Sequence, residues 1–291
     1  MRSHPSPSKP RLIIFGHIPK TAGSTFKMIL WRQYDPSRVF FSMTPATHAE
    51  KFAELRRRLE GEGEGVDVLV THAGYGVHET LPDTHEYPYI TFLREPIDRV
   101  ISGYHMFLRQ GKAPKDMPLD DFVRTFLKPG CNMQTSFLSG YFLECHLAGR
   151  EPELEAFDEA MLEKAKRNLE RHAVIGLTER FDESLIMLRN AFGWDWHKLL
   201  YYRANVGTNR KPRDGFSAET LETVEQYNRL DLELYDYART LFEERIAARR
   251  GEIERSLNAF NAVNRLYEAV APRVLPPARS VYRSFKKIFA R

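Results

Sequence analysis

A chain of 291 residues, 42% apolar and 28% charged, is long enough to bury a large core. Its net charge of +4 is not spread evenly, because Arg273, Arg279, Arg283, Lys286, Lys287 and Arg291 lie in the last 21 residues with no acid among them, which leaves about −2 for the body. A body of that charge excludes general attraction to nucleic acid, two cysteines without CxxC spacing indicate no disulfide framework, and no run of about 20 apolar residues marks a spanning helix.

Residues 1–10 are rich in Pro and Ser and are expected to be a disordered leader. The apolar run Leu12 to Ile18 reads as a strand buried on both faces, followed by a turn and a helix that starts between Gly23 and Thr25 and turns Phe26, Ile29 and Leu30 inward. A second amphipathic helix runs from His48 to Leu59 and stops at the Gly-rich segment 61–65. Val66 to Val70 and Tyr89 to Leu93 read as two more buried strands, the latter leading into a helix with Pro96 at its front. A fourth strand is expected at Ala173 to Leu177, with Glu179 or Asp182 capping the next helix, and helices dominate from there to Arg250. Strand, loop and helix recur in order, which predicts a three-layer α/β/α fold of P-loop-like form with a central parallel sheet and a largely helical C-terminal half. The organisation is leader 1–10, one domain over 11–250 and a basic helical extension over 251–291.

The segment FGHIPKTAGSTF, residues 15–26, has the physical make-up of an anion cradle. A buried strand delivers a turn with Lys20 and Gly23, and Ser24 and Thr25 open a helix whose first N–H groups and dipole favour negative charge. The lysine stands three residues before the glycine rather than directly after it, so the pattern departs from the nucleotide-triphosphate loop GxxxxGK[ST] and places an ammonium inside the turn, set to neutralise a phosphate without a metal.

HIPKTAGSTF resembles the 5'-phosphosulfate loop of carbohydrate sulfotransferases, the group that includes the heparan 2-O- and 6-O-enzymes, which use 3'-phosphoadenosine 5'-phosphosulfate (PAPS). FLREPIDRVISGYHMF, residues 92–107, resembles the 3'-phosphate motif of the same family, and NMQTSFLSG (132–140) and VIGLTERFDESL (174–185) resemble it more loosely. The resemblance implies a PAPS-dependent transferase acting on a carbohydrate hydroxyl without a metal, with Lys20, Thr21, Ala22, Gly23, Ser24 and Thr25 around the phosphosulfate and Arg94 and Ser102 on the 3'-phosphate. A guanidinium and a serine hydroxyl are suitable phosphate partners on chemical grounds as well.

Lys20 is the expected catalytic cation at the leaving phosphate. His72, just past the second strand, is the expected general base: strand ends form the ligand crevice of parallel sheets, and imidazole ordinarily titrates near neutrality. His78 is the reserve, Glu79 and Glu95 are alternatives, and His17 could orient the loop. His72, His78 and His85 lack a compact zinc spacing. Arg210 and Lys211 in the basic stretch 201–213 either reach an anion or belong to a solvated loop.

Val281, Tyr282, Phe285, Ile288 and Phe289 share one helical face amid basic residues. That tail reads either as an interfacial helix on an anionic membrane or as a helix packed on its own domain or a partner. A chain without an amino-terminal anchoring helix is expected to be a bacterial-type soluble, cytoplasmic enzyme. The competing readings are a kinase with a deviant phosphate loop and a PAPS- or polyanion-binding module that has lost catalysis.

Overall fold

The computed structural model describes residues 9–61, 65–126, 131–153, 157–202 and 211–274. Five short strands, β1 (Ile13–Gly16), β2 (Val39–Ser42), β3 (Val68–Thr71), β4 (Tyr89–Leu93) and β5 (Val174–Leu177), form one all-parallel sheet in the order β2-β3-β1-β4-β5. Helices α1 (Gly23–Gln33), α2 (His48–Leu59) and α3 (Pro96–Gln110) follow β1, β2 and β4. Then come α4 (Leu119–Phe126), α5 (Met133–Ser139), α6 (Tyr141–Leu147) and α7 (Glu159–Glu170), and after β5 come α8 (Phe181–Phe192), α9 (Ala218–Tyr227), α10 (Arg229–Ala247) and α11 (Arg250–Val274).

The strands are nearly continuous apolar runs because both sheet faces are covered. Ile13 and Phe15 of β1 join a core with Phe26, Ile29 and Leu30 of α1 and Leu185 and Leu188 of α8, whereas Ile14 joins a second core with Phe52 and Leu55 of α2. That alternation is the period-two side-chain pattern of a strand between two layers of helices. A third cluster, with Ile97 and Val100 of α3, Phe122 of α4 and Val224 of α9, closes the helical side of the fold.

Three of the four expected strands begin one or two residues later than the sequence suggests, and β1 also ends two residues earlier, at Gly16. The strand β2 was not foreseen: Val39–Ser42 is only four residues long and pairs along one side, with β3, at the sheet edge. Neither Glu179 nor Asp182 caps α8. The cap position is Arg180, with no side-chain cap bond. Glu179 instead accepts from Glu95 N and Tyr235 Oη, and Asp182 accepts from Tyr201 Oη. Ile253 and Phe260 of α11 are buried in the main core, and Asn264 Oδ1 accepts a bond from Tyr201 N at 2.9 Å. Residues 275–291, which contain the amphipathic tail, lie outside the described residues.

Candidate active site

The three inner strands end together, so His17 after β1, His72 after β3 and Arg94 after β4 meet at the carboxyl edge of the sheet. Parallel pairing fixes their heights: His17 N donates to Thr71 O at 2.8 Å, and His72 N donates to Ser42 O at 3.1 Å.

The turn after β1 holds two non-glycine residues in the left-handed region, Lys20 (φ 75°) and Ala22 (φ 60°). Such residues cost about 1 kcal/mol or more each, so the bend is held by what surrounds it. Buried Thr21 ties it down by donating Oγ1–H to Ile18 O at 2.8 Å. Phe26 N bonds back to Ala22 O, which leaves the N–H groups of Gly23, Ser24 and Thr25 without a backbone acceptor among the described residues at the helix start. Gly23 is required by packing, because a Cβ there would lie 1.8 Å from His17 Nε2. The cradle thus has an ammonium-bearing turn, helix-start N–H groups and a wall made by an imidazole edge.

His17 Nδ1 and His72 Nε2 are 2.9 Å apart, within hydrogen-bond distance. Burial holds the pKa of His17 well below the ordinary imidazole value, aided by the Lys27 ammonium and then by His72 and Lys20. Burial likewise takes His72 down to about 3, with Lys27, His48 and His146 adding to the effect. This corrects the expected near-neutral titration of His72: burial keeps it a neutral imidazole of low basicity.

Arg94 Nη1 donates to Lys20 O at 3.3 Å, joining the second motif to the first. The backbone of Arg94 is gripped on both sides by the Gln134 amide, Oε1 accepting from Arg94 N and Nε2 donating to Arg94 O, each at 3.0 Å. Gln134 is placed in turn by buried Asp231, whose carboxylate accepts from Gln134 N, Thr135 N and Thr135 Oγ1 and lies 3.8 Å from the buried Arg99 guanidinium. No local pattern could have revealed this support, since its members come from α3, α5 and α10.

Arg94 and Ser102 line one cavity of about 650 Å³ together with His105, Lys211 and Arg213. Lys211, for which the sequence leaves both an anion contact and a solvated loop open, shares a wall with Arg94, its ammonium 4.7 Å above the Phe216 ring. Arg210 lies outside the described residues. Glu95 faces Arg213 at 3.4 Å and caps α3 by accepting from Asp98 N at 2.7 Å, and burial raises its pKa. His78 is engaged with Tyr89 Oη at 3.0 Å and His85 with Thr84 Oγ1 at 2.9 Å, so they and His72 belong to three separate bonding groups.

The sheet and its strand-end loop define a parallel α/β protein with an anion cradle and a neighbouring cationic cavity. The chain belongs to the galactose-3-O-sulfotransferase family, whose sequence profile matches residues 2–270. It is 25% identical over 268 residues to galactose-3-O-sulfotransferase 3 of Bos taurus, covering 86% of this chain and 62% of that protein. Heparan-sulfate 6-O-sulfotransferase 1 of Cricetulus griseus is 27% identical over 203 residues, 60% of this chain and 49% of the relative. The chain thus spans less than two thirds of the length of these relatives. A mouse sulfotransferase solved with PAP aligns at a TM-score of 0.41 and 17% identity, over 80% of this chain and 88% of that one. These relatives are animal proteins and give no support to a bacterial-type member. Among the described residues no helix is long and apolar enough to cross a membrane.

Proposed function

We propose that this chain transfers a sulfuryl group from PAPS to a hydroxyl of a carbohydrate. The observation that carries the reading is the bond from Arg94 Nη1 to Lys20 O, which sets the guanidinium that lines the cationic cavity directly against the turn that carries the ammonium. Membership of a family named for galactose 3-O-sulfation supports a sugar acceptor.

The residues present fit such a donor. The phosphosulfate belongs on the N–H groups at 23–25 beside Lys20, at a helix start that the absence of a Cβ at Gly23 lets pack against His17. The 3'-phosphate belongs in the cavity with Arg94 and Ser102, and Lys211 stands there as a further cation. When bound, PAPS supplies an activated sulfur and a phosphate leaving group. Lys20 neutralises charge developing on that phosphate, and the fixed loop holds the line of attack. His72 takes the acceptor proton through Nδ1, the ring nitrogen not engaged with His17. Burial and the nearby Lys27 lower its basicity, and an anionic donor acts in the opposite direction by favouring the imidazolium.

Incubation with radiolabelled PAPS, EDTA and a panel of galactosides and sulfated glycans tests the reading. Label transfer is expected, falling about 10²–10³-fold in Lys20→Ala and about 10²–10⁴-fold in His72→Ala. A chain that binds PAP but labels no glycan is a binding module, and one that needs Mg²⁺ and consumes ATP is a kinase.

A further inference from the structure

His17 stands between the two halves of the site, with one ring nitrogen toward each. Its Nε2 lies against Gly23, where a side chain would otherwise begin, and its Nδ1 is 2.9 Å from His72 Nε2. The ring cannot turn freely: it is buried, its backbone N–H is tied to Thr71, and it stacks on Phe15 with centroids 5.4 Å apart. Among the described residues nothing engages Nδ1 of His72.

We propose that His17 is a positioning residue for His72, its Nδ1 accepting a hydrogen bond from His72 Nε2–H so that Nδ1 of His72 is the unprotonated nitrogen that meets the acceptor hydroxyl. The inference rests on the role of His72 given above. Two neutral imidazoles sharing one bond have two tautomeric arrangements, and only one leaves Nδ1 of His72 unprotonated. An anion in the cradle selects that arrangement, because it favours a proton on His17 Nε2 over a lone pair facing it. With Nε2 protonated, His17 Nδ1 can only accept. In the transfer step the acceptor O–H proton moves to His72 Nδ1 as its oxygen bonds to sulfur. The bond from sulfur to the phosphate oxygen breaks, and the electron pair leaves with that oxygen. The resulting imidazolium keeps its Nε2–H on His17 until Nδ1 returns its proton to solvent.

Nitrogen-15 spectra of histidine-labelled protein saturated with PAP decide the tautomer without turnover, with His72→Gln identifying the resonances. We expect His72 to be protonated on Nε2 and bare on Nδ1, and to become a mixture in His17→Phe, which keeps a ring against Gly23 but cannot accept. In transfer assays His17→Phe should lower kcat about 10–100-fold, while PAP binding weakens by less than the roughly tenfold worth of one hydrogen bond. His17→Asn, whose Oδ1 can replace Nδ1, should recover most of kcat. A proton on Nδ1 of His72, or a tautomer unmoved by His17→Phe, overturns the proposal. If His17→Phe does not fold, the unmodified protein's spectrum and His17→Asn still decide. Absence of transfer in the unmodified chain sinks the function proposed above, and the spectrum then decides this inference alone.

Discussion

The Gln134 side chain pairs with the backbone of Arg94 as a neighbouring strand would, one bond to N and one to O, both at 3.0 Å. Gln134→Leu strands two backbone groups next to the cavity and should cost about 1–3 kcal/mol in chemical denaturation. It should also weaken PAP binding about 3- to 10-fold in calorimetry, since it frees the strand end that aims the guanidinium. Arg94→Ala, which removes the charged donor itself, should weaken binding about 10- to 150-fold.

Gly23 and His17 occupy overlapping space, and Gly23 does not have the positive φ that would bar a side chain on conformational grounds. Gly23→Ala should therefore fail through collision alone, losing about 1–3 kcal/mol. Adding His17→Ala should restore stability, measured by urea midpoint, without restoring sulfuryl transfer. A double variant no more stable than Gly23→Ala would show that the obstacle is something other than the ring.

Ala22 keeps φ at 60° as the cap residue of α1. Ala22→Gly should raise stability by about 0.5–1 kcal/mol, because glycine adopts this region without the Cβ penalty, partly offset by greater freedom when unfolded. Lys20→Gly should relieve the same strain at φ 75° while PAP affinity falls, a separation of stability from binding visible in paired thermal and calorimetric measurements.

Several imidazoles are held neutral by burial, among them His48 and His172, each lowered to about 4. The unfolded chain binds protons near pH 6.5 and the folded one does not, so this stability is complete above pH 6.5 and is lost as pH falls toward 4. Each such group should cost about 2 kcal/mol by pH 5. His48 is fully buried, with Nδ1 2.7 Å from Ser42 Oγ and its ring stacked on Phe52. His48→Phe should flatten the slope of unfolding free energy between pH 6.5 and 4 by up to about 1.4 kcal/mol per pH unit. An unchanged slope would assign the acid sensitivity to other groups.

The parallel sheet and the bend carrying Lys20 were legible because both are local: apolar runs mark buried strands, and a Gly/Ser/Thr opening marks a helix start. Val39–Ser42 escaped notice because four residues between turns carry no periodicity. Asp231, and the part that Gln134 plays within the loosely matching segment 132–140, could not be read for a different reason: they depend on bonds spanning 40 and 96 or 97 residues. The low basicity of His72 was equally out of reach, since burial and the neighbouring Lys27 are properties of the packed site.

A contact between Arg94 and the Lys20 carbonyl spans 74 positions of sequence but only one step across the sheet, from β4 to β1. The two motifs are consequently in direct contact. Substitutions at Arg94 and in the 20–23 turn should therefore show a coupling term in a double-mutant cycle read by PAP binding.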